Sequence, residues 1–478
     1  MRGKRHAWVV LLLVFAMVAA SCGSDDGDDT TTTEAGGEAT TETTAAEETT
    51  TTAAGGEETT TTAAAAGGDV KTDIGVDAAT KTIKIGLLSD LTGAFAPLVV
   101  DITDAIRAYW DARNAAGGIG DGWMVELVIE DTNYNVEQHI EAYEKIKDDV
   151  VAIGQSTGSP TSVANLANTI EDNILFIPLS WYSGWAIPEF DNQIAFEQNT
   201  NYCIEAMNLL GFIGDQGGTS IALATFPGDY GGDAAAGVRI AAEFYGIDLL
   251  YDGEGAVIPG QDQTQVISEI VGSGADWAYV ATNASTMAEI VGGAVQAGFT
   301  GMWTGPLPAY DFRLLDTPVG PILDQVWYQS AHLVTWGTDV PGAVEMREVL
   351  TAAYPDRRPS DAFIIGWTES LAIQEALEIA IANGDLTRQG VIDAANSITD
   401  LDYGGLAPAQ SYAGTPNEYV QRELSILQPN LDAYTAAGGA EQTLSQEGGG
   451  TTGSEIAVDF STSELAEQFE LTAPCFAR

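Results

Sequence analysis

Short apolar runs alternate along the chain with segments whose apolar residues recur at helical spacing. The run IKIGLLSDLTG at 83–93 passes from an apolar strand into a polar, glycine-containing turn. Ile102, Ile106 and Tyr109 follow at i, i+4 and i+7 positions, which predicts a helix that ends in a glycine-rich stretch near Gly118. Strands that are apolar at nearly every position indicate a parallel sheet with helices on both faces.

The same alternation continues in two sets of similar size, which predict two lobes of an α/β fold. The first set has predicted strands at 125–131, 150–156 and 174–180 and helices at 136–148 and 160–171. The second has strands at 220–226, 247–253, 277–282 and 302–305 and helices at 231–245, 263–273 and 285–297. A long amphipathic helix is predicted at 360–383, and the chain after about 430 is rich in Gly, Gln, Ser and Thr.

The first 22 residues have the features of a targeting segment. Three basic residues precede the apolar run 8–20, which is too short for a membrane span and fits a signal peptide. Small residues directly before Cys22 resemble the lipobox of bacterial lipoproteins, in which the cysteine receives a lipid anchor. The resemblance predicts a signal peptide at 1–21 and an anchored protein on the outer face of the bacterial cell membrane. Ordinary secretion with a free Cys22 is the alternative.

A low-complexity segment separates this start from the patterned region. Residues 23–68 consist almost wholly of Thr, Ala, Glu, Asp, Gly and Ser and contain no aromatic, Ile, Leu or Val residue. Such a segment has no apolar surface to bury, so we expect it to be disordered. Because the strand pattern begins at Thr82, we predict a disordered tether over 22–81 that holds the body away from the membrane.

The charge balance excludes some partners. The chain has 69 acidic residues against 18 basic ones, a formal net charge of −51. Nucleic-acid binding and electrostatic attachment to anionic lipid both need a basic surface, so we expect neither, and the lipid anchor is the expected membrane contact. The acidic surface fits either a salty medium or the attraction of cationic ligands.

Metal-binding and phosphate-binding motifs are missing from the sequence. None of the three histidines forms a His-x-x-His or His-Glu-x-x-His pattern, and no Gly-x-x-x-x-Gly-Lys loop occurs. We therefore expect no catalysis, no metal and no cofactor. An oxidising compartment would allow Cys203 and Cys475 to form a disulfide, and two free thiols are the alternative.

The ends of the predicted strands carry the candidate chemistry, because ligands of open parallel sheets bind beyond the carboxyl ends of the strands. Hydroxyl and aromatic residues are frequent at 154–159, 178–185, 227–231, 282–283 and 305–311. Hydroxyls and N–H groups at a helix start suit a carboxylate or carbonyl oxygen, and aromatics give apolar walls. We predict a small-molecule site here, with ordinary connecting loops as the alternative.

Three motifs resemble those of type I periplasmic binding proteins, in the branch of leucine/isoleucine/valine-, amide- and urea-binding receptors of ABC importers. They are IKIGLLSDLTG at 83–93, NAAGGI at 114–119 followed by VELVIEDT, and Asp229-Tyr230-Gly231. The resemblance covers most of 82–430. It implies two αβα lobes with parallel central sheets, joined by a hinge of three chain crossings and closing on a ligand.

The resemblance also implies domain bounds and ligand-binding residues. Lobe 1 is expected at 82–199 and 335–404, and lobe 2 at 200–334 and 405–478. The loop after the third strand would hold a ligand carboxylate, the loop after the fourth would add a carbonyl and a hydroxyl, and the second lobe would close over them. The expected residues are Ser156, Thr157, Gly158, Ser159, Ser180, Trp181, Tyr182, Tyr230 and Asn283.

One position departs from the amino-acid binders of this family. They place an acidic residue just after a Gly-Pro to hold the ligand ammonium, and this chain has Leu307 there. An unpaired ammonium in a closed cleft is costly. Asp311 could substitute if its loop bends inward. An amino acid, a short amide, a carboxylate or an aromatic acid therefore all remain as ligands.

The resemblance implies a non-catalytic receptor that captures a small solute and delivers it to the permease and ATPase of an ABC importer. A receptor of the same fold that signals to a sensor is an alternative. A secreted hydrolase is a further alternative, against which the missing histidine patterns count. A purely structural surface lipoprotein is the last, and it predicts no ligand.

Overall fold

The computed structural model describes residues 70–477. The predicted signal peptide 1–21, Cys22 and the part of the predicted tether up to residue 69 lie outside the described residues. The strands are β1 Lys71–Thr72, β2 Val76–Asp77, β3 Thr82–Ser89, β4 Met124–Asp131, β5 Ala152–Thr157, β6 Leu175–Leu179, β7 Ser220–Thr225, β8 Asp248–Gly253, β9 Trp277–Ala281, β10 Met302–Gly305, β11 Trp327–Ala331, β12 Asp385–Leu386, β13 Leu424–Pro429 and β14 Ser454–Ser461.

The helices connect these strands along the chain. They are α1 Ala96–Ala115, α2 Val136–Ile146, α3 Ser159–Glu171, α4 Pro188–Asp191, α5 Tyr202–Asp215, α6 Asp229–Tyr245, α7 Thr264–Ser273, α8 Ala284–Gln296, α9 Gly320–Val326, α10 Pro341–Ala353, α11 Ala362–Ala382, α12 Arg388–Asn396, α13 Pro416–Tyr419, α14 Leu431–Ala436 and α15 Glu464–Gln468. Within residues 70–477, no helix combines the length and the apolar character that crossing a membrane requires.

Two sheets form the centres of two lobes. In lobe 1, β3 pairs in parallel with β4 and β5, β5 pairs in parallel with β6, and the short β2 runs antiparallel to β3. In lobe 2 the strand order is β14-β13-β11-β10-β9-β7-β8, in which β13 runs antiparallel to both of its neighbours, β11 and β14, and the other pairs are parallel. The predicted fold class of two αβα lobes with parallel central sheets is confirmed.

Apolar helix faces cover both sheets. In lobe 1, α1 packs against α11, and the rings of Tyr109 and Trp367 meet at a centroid distance of 4.8 Å. In lobe 2, α5 packs against α6 on one side and α7 against α8 on the other. The long helix predicted at 360–383 is α11, and fifteen of its 21 residues are buried, so it is a core helix rather than an amphipathic surface helix.

The chain passes between the lobes three times, near 197–201, 332–335 and 403–423. Side chains and backbone bind these crossings to one another. The Asn199 N–H donates to the Gln410 side-chain oxygen at 3.2 Å, and the Val334 N–H donates to the Leu406 carbonyl at 2.9 Å. The crossings therefore form one hydrogen-bonded hinge rather than three independent linkers.

The segment 70–81, predicted as the end of the tether, belongs to the folded body. β1 pairs in parallel with β12, and β2 pairs with β3. The Lys71 ammonium lies 2.9 Å from the Asp385 carboxylate, and the Arg388 N–H donates to Asp73. Two-residue strands have no readable periodicity, which is why the sequence pattern placed the start of the fold at Thr82.

The chain beyond residue 430 is also folded, despite its polar composition. β14 completes an edge of the lobe 2 sheet, and a disulfide joins Cys203 on α5 to Cys475. Next to this bridge, the Cys475 N–H donates to the Ser183 hydroxyl at 2.8 Å, and the Tyr182 hydroxyl donates to the Phe476 carbonyl at 2.7 Å. The C-terminal segment is thereby attached to residues of both lobes.

A polar network crosses the core of lobe 1. The Ser89 hydroxyl donates to the Gln155 side-chain oxygen at 2.5 Å, and the Gln155 amide donates to the Glu369 carboxyl group at 3.3 Å. Glu369 is buried on α11, and burial raises its pKa from the ordinary 4.5 to about 8. Between these values the folded protein holds one proton more than the unfolded chain, so the stability that this group contributes falls as pH rises.

We expect Glu369→Gln to remove this pH dependence. Relative to the unchanged protein, the free energy of unfolding of the variant should rise by up to about 1.4 kcal/mol per pH unit between about pH 4.5 and 8. Thermal unfolding of both proteins across that range measures the effect. Glu375→Gln, an exposed change on the same helix, is the control. Parallel curves for the native protein and Glu369→Gln would contradict the assignment.

Candidate functional site

The carboxyl ends of the parallel strands of both lobes face one another across the cleft, where three adjoining cavities lie. The head chamber is lined by Phe95, Leu98, Val99, Tyr134, Thr157, Gly158, Ser159, Leu179, Trp181, Tyr202, Tyr230 and Pro308. The mouth is lined by Ala94, Phe95, Pro97, Leu98, Asn283, Ala284, Ser285, Pro308, Tyr310 and Asp311.

The third cavity is the tail chamber. It is lined by Leu98, Leu307, Tyr310, Asp311, Phe312, Gln329, Ala331, Leu333, Val334, Ser360, Asp361, Ala362, Ile365 and Leu427. Leu98 on α1 lines all three cavities. The cleft is therefore one elongated site, mostly apolar, with its hydroxyl groups concentrated in the head chamber.

The polar end of the head chamber is the junction of β5 and α3. Gly158 has φ +94°, and a Cβ there would lie 2.5 Å from a ring carbon of Tyr134, so only glycine fits. α3 begins after Gly158 without a side-chain cap, and Gly158 and Ser159 both line the chamber. The positive end of a 13-residue helix thus borders the cavity, where it favours an anionic group.

The hydroxyl of Thr157 is the group of the chamber that most directly indicates a binding site. It is buried and has no hydrogen-bond partner among the described residues, although it could donate and accept. The neighbouring Ser159 hydroxyl lies 2.7 Å from that of Ser180. A buried polar group without a partner is destabilising, and the Thr157 hydroxyl combines this lack of a partner with a place in the cavity wall, so it is a candidate ligand-binding group.

Aromatic rings from both lobes form the walls. Phe95 of lobe 1 lies 4.5 Å from Tyr134 and 6.3 Å from Tyr230 of lobe 2, measured between ring centroids. Tyr202 lies 4.6 Å from Tyr230, and Trp181 lies 6.0 Å from Tyr202. The Tyr230 hydroxyl donates to the Thr282 carbonyl at 3.1 Å, so its ring faces the chamber while its polar end is satisfied. The sequence-predicted Trp181 and Tyr230 both line the chamber.

Three of the predicted ligand-binding residues do not line any of the three cavities. Ser156 lies beneath β5, with its hydroxyl 3.2 Å from His139 on α2 and 2.8 Å from Ser162 on α3. The Ser180 hydroxyl accepts from the Trp185 indole at 3.0 Å and supports Ser159 from behind. The Tyr182 ring packs against Trp185 and Phe190, and its hydroxyl binds the C-terminal segment.

A Gly-x-Ser-x-Gly pattern, typical of the nucleophile elbow of hydrolases, occurs at 154–158. The structure gives it no catalytic geometry. The Ser156–His139 pair is buried away from the cavities, and the other ring nitrogen of His139 has no partner among the described residues. Burial lowers the pKa of His139 to about 4. The pair lacks both the acidic third member and access for a substrate.

The remaining predicted residues lie at the other two cavities. Asn283 lines the mouth, and its amide donates to the Ala94 carbonyl of lobe 1 at 2.9 Å. Leu307 lines the tail chamber, and Asp311 lines both the tail chamber and the mouth. The Asp311 carboxylate is paired with Arg313 at 2.9 Å, and burial raises its pKa while Arg313 lowers it. Asp311 is therefore engaged within lobe 2 and is not free to hold a ligand ammonium.

The sequence reasoning missed residues at two strand ends. Phe95 follows β3 and Tyr134 follows β4, and the predicted site includes neither loop although both follow parallel strands. Tyr202 begins α5 immediately after the first crossing. The signal that could have found Phe95 and Tyr134 is the same one used for the other loops, an aromatic residue within a few positions of a strand end.

A buried carboxylate, that of Glu205, lies beneath the second-lobe side of the cleft. One Glu205 oxygen accepts from the Leu307 N–H at 3.1 Å, from the Ser330 hydroxyl and from the His332 ring at 3.2 Å. Its other oxygen has no partner among the described residues. Because Glu205 does not line the head chamber and already holds the Leu307 backbone, it fixes the position of the loop that separates the chambers.

Ion pairs join the lobes beside the tail chamber. The Asp101 carboxylate on α1 is 1% exposed, and it binds Arg313 of lobe 2 at 2.5 Å and Arg357 of lobe 1. Arg313 also donates to the Pro97 carbonyl at 3.3 Å. A second pair links Arg358 of lobe 1 to Asp316 of lobe 2 at 2.8 Å. The structure therefore has its two lobes in direct contact across the cleft.

The cavities contain little else that could do chemistry. Among residues 70–477, no Lys, Arg or His side chain lines any of the three. The described part of the chain also has no cluster of three or more His, Cys, Asp or Glu side chains suited to hold a metal ion. Hydroxyls, amide groups and a helix N-terminus can bind and orient a solute, and this is what the arrangement provides.

Comparisons with known proteins agree with this architecture. A family model described as periplasmic binding protein matches residues 82–433. A search of curated proteins gave no match. Among solved structures, a fatty acid ABC transporter substrate-binding protein from Thermomonospora curvata is 26% identical, with a TM-score of 0.74, and the match covers 85% of this chain and 97% of that one.

Two further solved structures share the fold at lower identity. A branched-chain amino acid ABC transporter protein from Thermus thermophilus, with bound valine, is 18% identical with a TM-score of 0.68, covering 83% of this chain and 99% of that one. A leucine-binding protein from Thermotoga maritima is 17% identical with a TM-score of 0.61, covering 72% of this chain and 95% of that one.

We expect Arg313→Gln to favour opening of the lobes. It removes the cation that lobe 2 supplies to the buried Asp101, a loss of about 1.5 kcal/mol, so the ratio of closed to open molecules should fall about tenfold. Distances between spin labels on the two lobes report the two populations. Arg239→Gln is the matched control, because Arg239 pairs with Asp252 and Glu254 of its own lobe. Equal distance distributions for native protein and Arg313→Gln would contradict the expectation.

Proposed function

Because the chain belongs to the periplasmic binding protein family, we propose that it is an extracytoplasmic receptor that captures an amphipathic carboxylate in the interlobe cleft. It then delivers this solute to the permease and ATPase of an ABC importer. The members of the fold with which it aligns are solute-binding proteins of ABC transporters, and membership in this family supports a location outside the cytoplasm.

One observation carries the proposal: the unpartnered Thr157 hydroxyl beside the uncapped start of α3. A carboxylate oxygen accepts hydrogen bonds and carries the negative charge that a helix N-terminus favours. Thr157, Gly158 and Ser159 bring a hydroxyl, a backbone without a side chain and a second hydroxyl to one wall of the chamber. A neutral solute would gain the hydrogen bonds but not the charge interaction.

The surroundings of the head chamber favour a solute without an ammonium group. No Asp or Glu side chain lines this chamber among the described residues, and Asp311 is paired with Arg313. The family's amino-acid ligands need such an acid, and burying an unpaired ammonium is costly. The apolar walls continue past Leu98 into the tail chamber, which suits an aliphatic or aromatic chain attached to the carboxylate. The similar protein from Thermomonospora curvata serves a fatty acid ABC transporter, which supports the same solute class.

Binding and release follow from the hinge. An open cleft would admit the solute, and closure would bring Tyr230 and Pro308 of lobe 2 against the lobe 1 wall. Closure also forms the Arg313–Asp101 pair, so that the closed form has a distinct outer surface for a permease to recognise. No step changes a covalent bond of the solute, and the receptor is not an enzyme under this proposal.

We expect straight-chain and aromatic carboxylates to raise the melting temperature of the purified protein. Ligand at about a hundred times its Kd stabilises the native state by about 2.7 kcal/mol. The matched primary amides should shift the midpoint less, and branched-chain amino acids and urea least. A selective shift with leucine or valine and none with any carboxylate would contradict the proposed solute class.

Thr157→Val tests the proposed carboxylate site by removing one hydroxyl group. Valine keeps the shape of threonine but removes the hydroxyl, so the affinity for a bound carboxylate should fall about tenfold, as expected for a hydrogen bond to a charged group. Thr169→Val is the control, because that hydroxyl bonds to carbonyls within α3 and lies away from the cavities. Equal losses in the two variants would indicate a structural effect rather than a lost ligand contact.

Attachment to the membrane is a further part of the proposal, which rests on the sequence around Cys22. We expect the full-length protein, expressed in a lipoprotein-processing bacterium, to incorporate an alkyne-labelled fatty acid and to fractionate with membranes. Cys22→Ser should abolish both, whereas Ser21→Ala, which keeps a small residue before the cysteine, should preserve both. Labelling that persists in Cys22→Ser would contradict lipidation at this site.

A further inference from the structure

The tail chamber contains polar groups that an aliphatic chain would not need. Its walls are mainly apolar, yet Tyr310, Gln329 and Asp361 also line it. Tyr310 is 7% exposed, and its hydroxyl has no hydrogen-bond partner among the described residues. Its ring lies nearly parallel to that of Trp327, with an interplanar angle of 19° and 6.5 Å between the ring centroids. The cleft thus has an unsatisfied hydroxyl in each chamber, Thr157 in one and Tyr310 in the other.

The two carboxylates of the tail chamber have partners within the protein, whereas the Gln329 amide nitrogen does not. Asp361 accepts from the Trp336 N–H at 2.6 Å and from the Ser454 hydroxyl at 2.9 Å. Asp311 is paired with Arg313. The Gln329 side-chain oxygen is 3.4 Å from the Trp327 indole nitrogen, and its amide nitrogen has no hydrogen bond within the described chain. A donor on Gln329 and a donor-acceptor on Tyr310 are therefore available to a ligand.

We propose that the tail chamber is a second recognition site, built for an uncharged hydroxyl or carbonyl group at the far end of the solute. The inference rests on the proposed function and narrows it to an acid with a polar group remote from its carboxylate. A second carboxylate is disfavoured, since Asp311 and Asp361 line the same chamber and would repel it. A plain aliphatic acid would fill the apolar space but leave the Tyr310 hydroxyl buried and unsatisfied.

Adding a hydroxyl to the far end of the solute should change the affinity in opposite directions in an apolar chamber and in a chamber with an unsatisfied hydroxyl. A purely apolar chamber rejects an added hydroxyl, because the hydroxyl loses its water and finds no partner. A chamber that already holds an unsatisfied hydroxyl does the reverse, since the ligand hydroxyl satisfies itself and its partner together. Whether a terminal hydroxyl strengthens or weakens binding therefore separates the two kinds of chamber.

The test compares acids of equal chain length that differ only at the far end. Isothermal calorimetry on the purified protein would measure unbranched monocarboxylates of four to twelve carbons, their ω-hydroxy derivatives and the corresponding dicarboxylates. We expect the ω-hydroxy acid of best-fitting length to bind about tenfold more tightly than the plain acid, and the dicarboxylate to bind most weakly. Tyr310→Phe should abolish the advantage of the hydroxyl, so that the plain acid and its ω-hydroxy derivative bind this variant with equal affinity.

Tyr328→Phe, which alters a tyrosine that packs on Phe212 and Trp277 and lines none of the three cavities, is the matched control and should preserve the advantage. Plain acids that bind as tightly as their ω-hydroxy partners at every length, with the affinity lowered about tenfold in Thr157→Val, would overturn the second site and leave the proposed function intact. Failure of every acid to bind would overturn both. An unchanged hydroxyl preference in Tyr310→Phe would overturn the assignment to Tyr310.

Discussion

The Asp101 carboxylate is buried at the contact between the two lobes, where it pairs with one arginine from each lobe. If the lobes separate, a carboxylate in this position loses one of its cations and has to regain water in its place. Arg357 belongs to its own lobe and accompanies it whether the cleft is open or closed, whereas Arg313 comes from the other lobe. The same contact brings Arg313 against the Pro97 carbonyl at the start of α1. The sealing of the chambers by Phe95, Tyr230 and Asn283 depends on this approach, because these residues meet only when α1 reaches lobe 2.

Most elements of the fold could be predicted from the sequence, and the reason is periodicity. β10 begins and ends where the apolar pattern placed it, and the predicted helix at 160–171 differs from α3 by one residue. The elements that the sequence did not predict are those without such periodicity. β1 and β2 have two residues each, and β1 finds its partner β12 more than 300 residues later along the chain. No local pattern can report such a pairing, so residues 70–81 resembled the polar segment before them.

The location of the site was predictable, but the selection of its side chains was not. Ser156 and Thr157 are adjacent on β5, so they face opposite sides of the sheet. One hydroxyl therefore lies under the helices with His139, and the other lies at the head chamber. A loop rich in hydroxyls predicts that some of them meet a ligand, and only the register of the strand decides which. The same is true of Ser180, which the sequence predicts as a ligand-binding residue. Its hydroxyl is hydrogen-bonded to Ser159 and to the Trp185 indole instead of lining a cavity.

The order of strands in the lobe 2 sheet has a consequence for how the protein is made. Within this sheet β7 to β11 are synthesised first, but β13 and β14, which complete the edge next to β11, follow only after the segment that builds α10 to α12 of lobe 1. Lobe 1 therefore cannot be completed until α10 to α12 have followed β11, and lobe 2 cannot be completed until β13 and β14 have followed α12. Long-range pairing of this kind slows folding and leaves strand edges exposed meanwhile. The chain therefore has to stay soluble until nearly all of it has been synthesised. A net charge far from zero favours solubility, and the net charge of −51 acts in this way on the incomplete chain as well as on the folded protein.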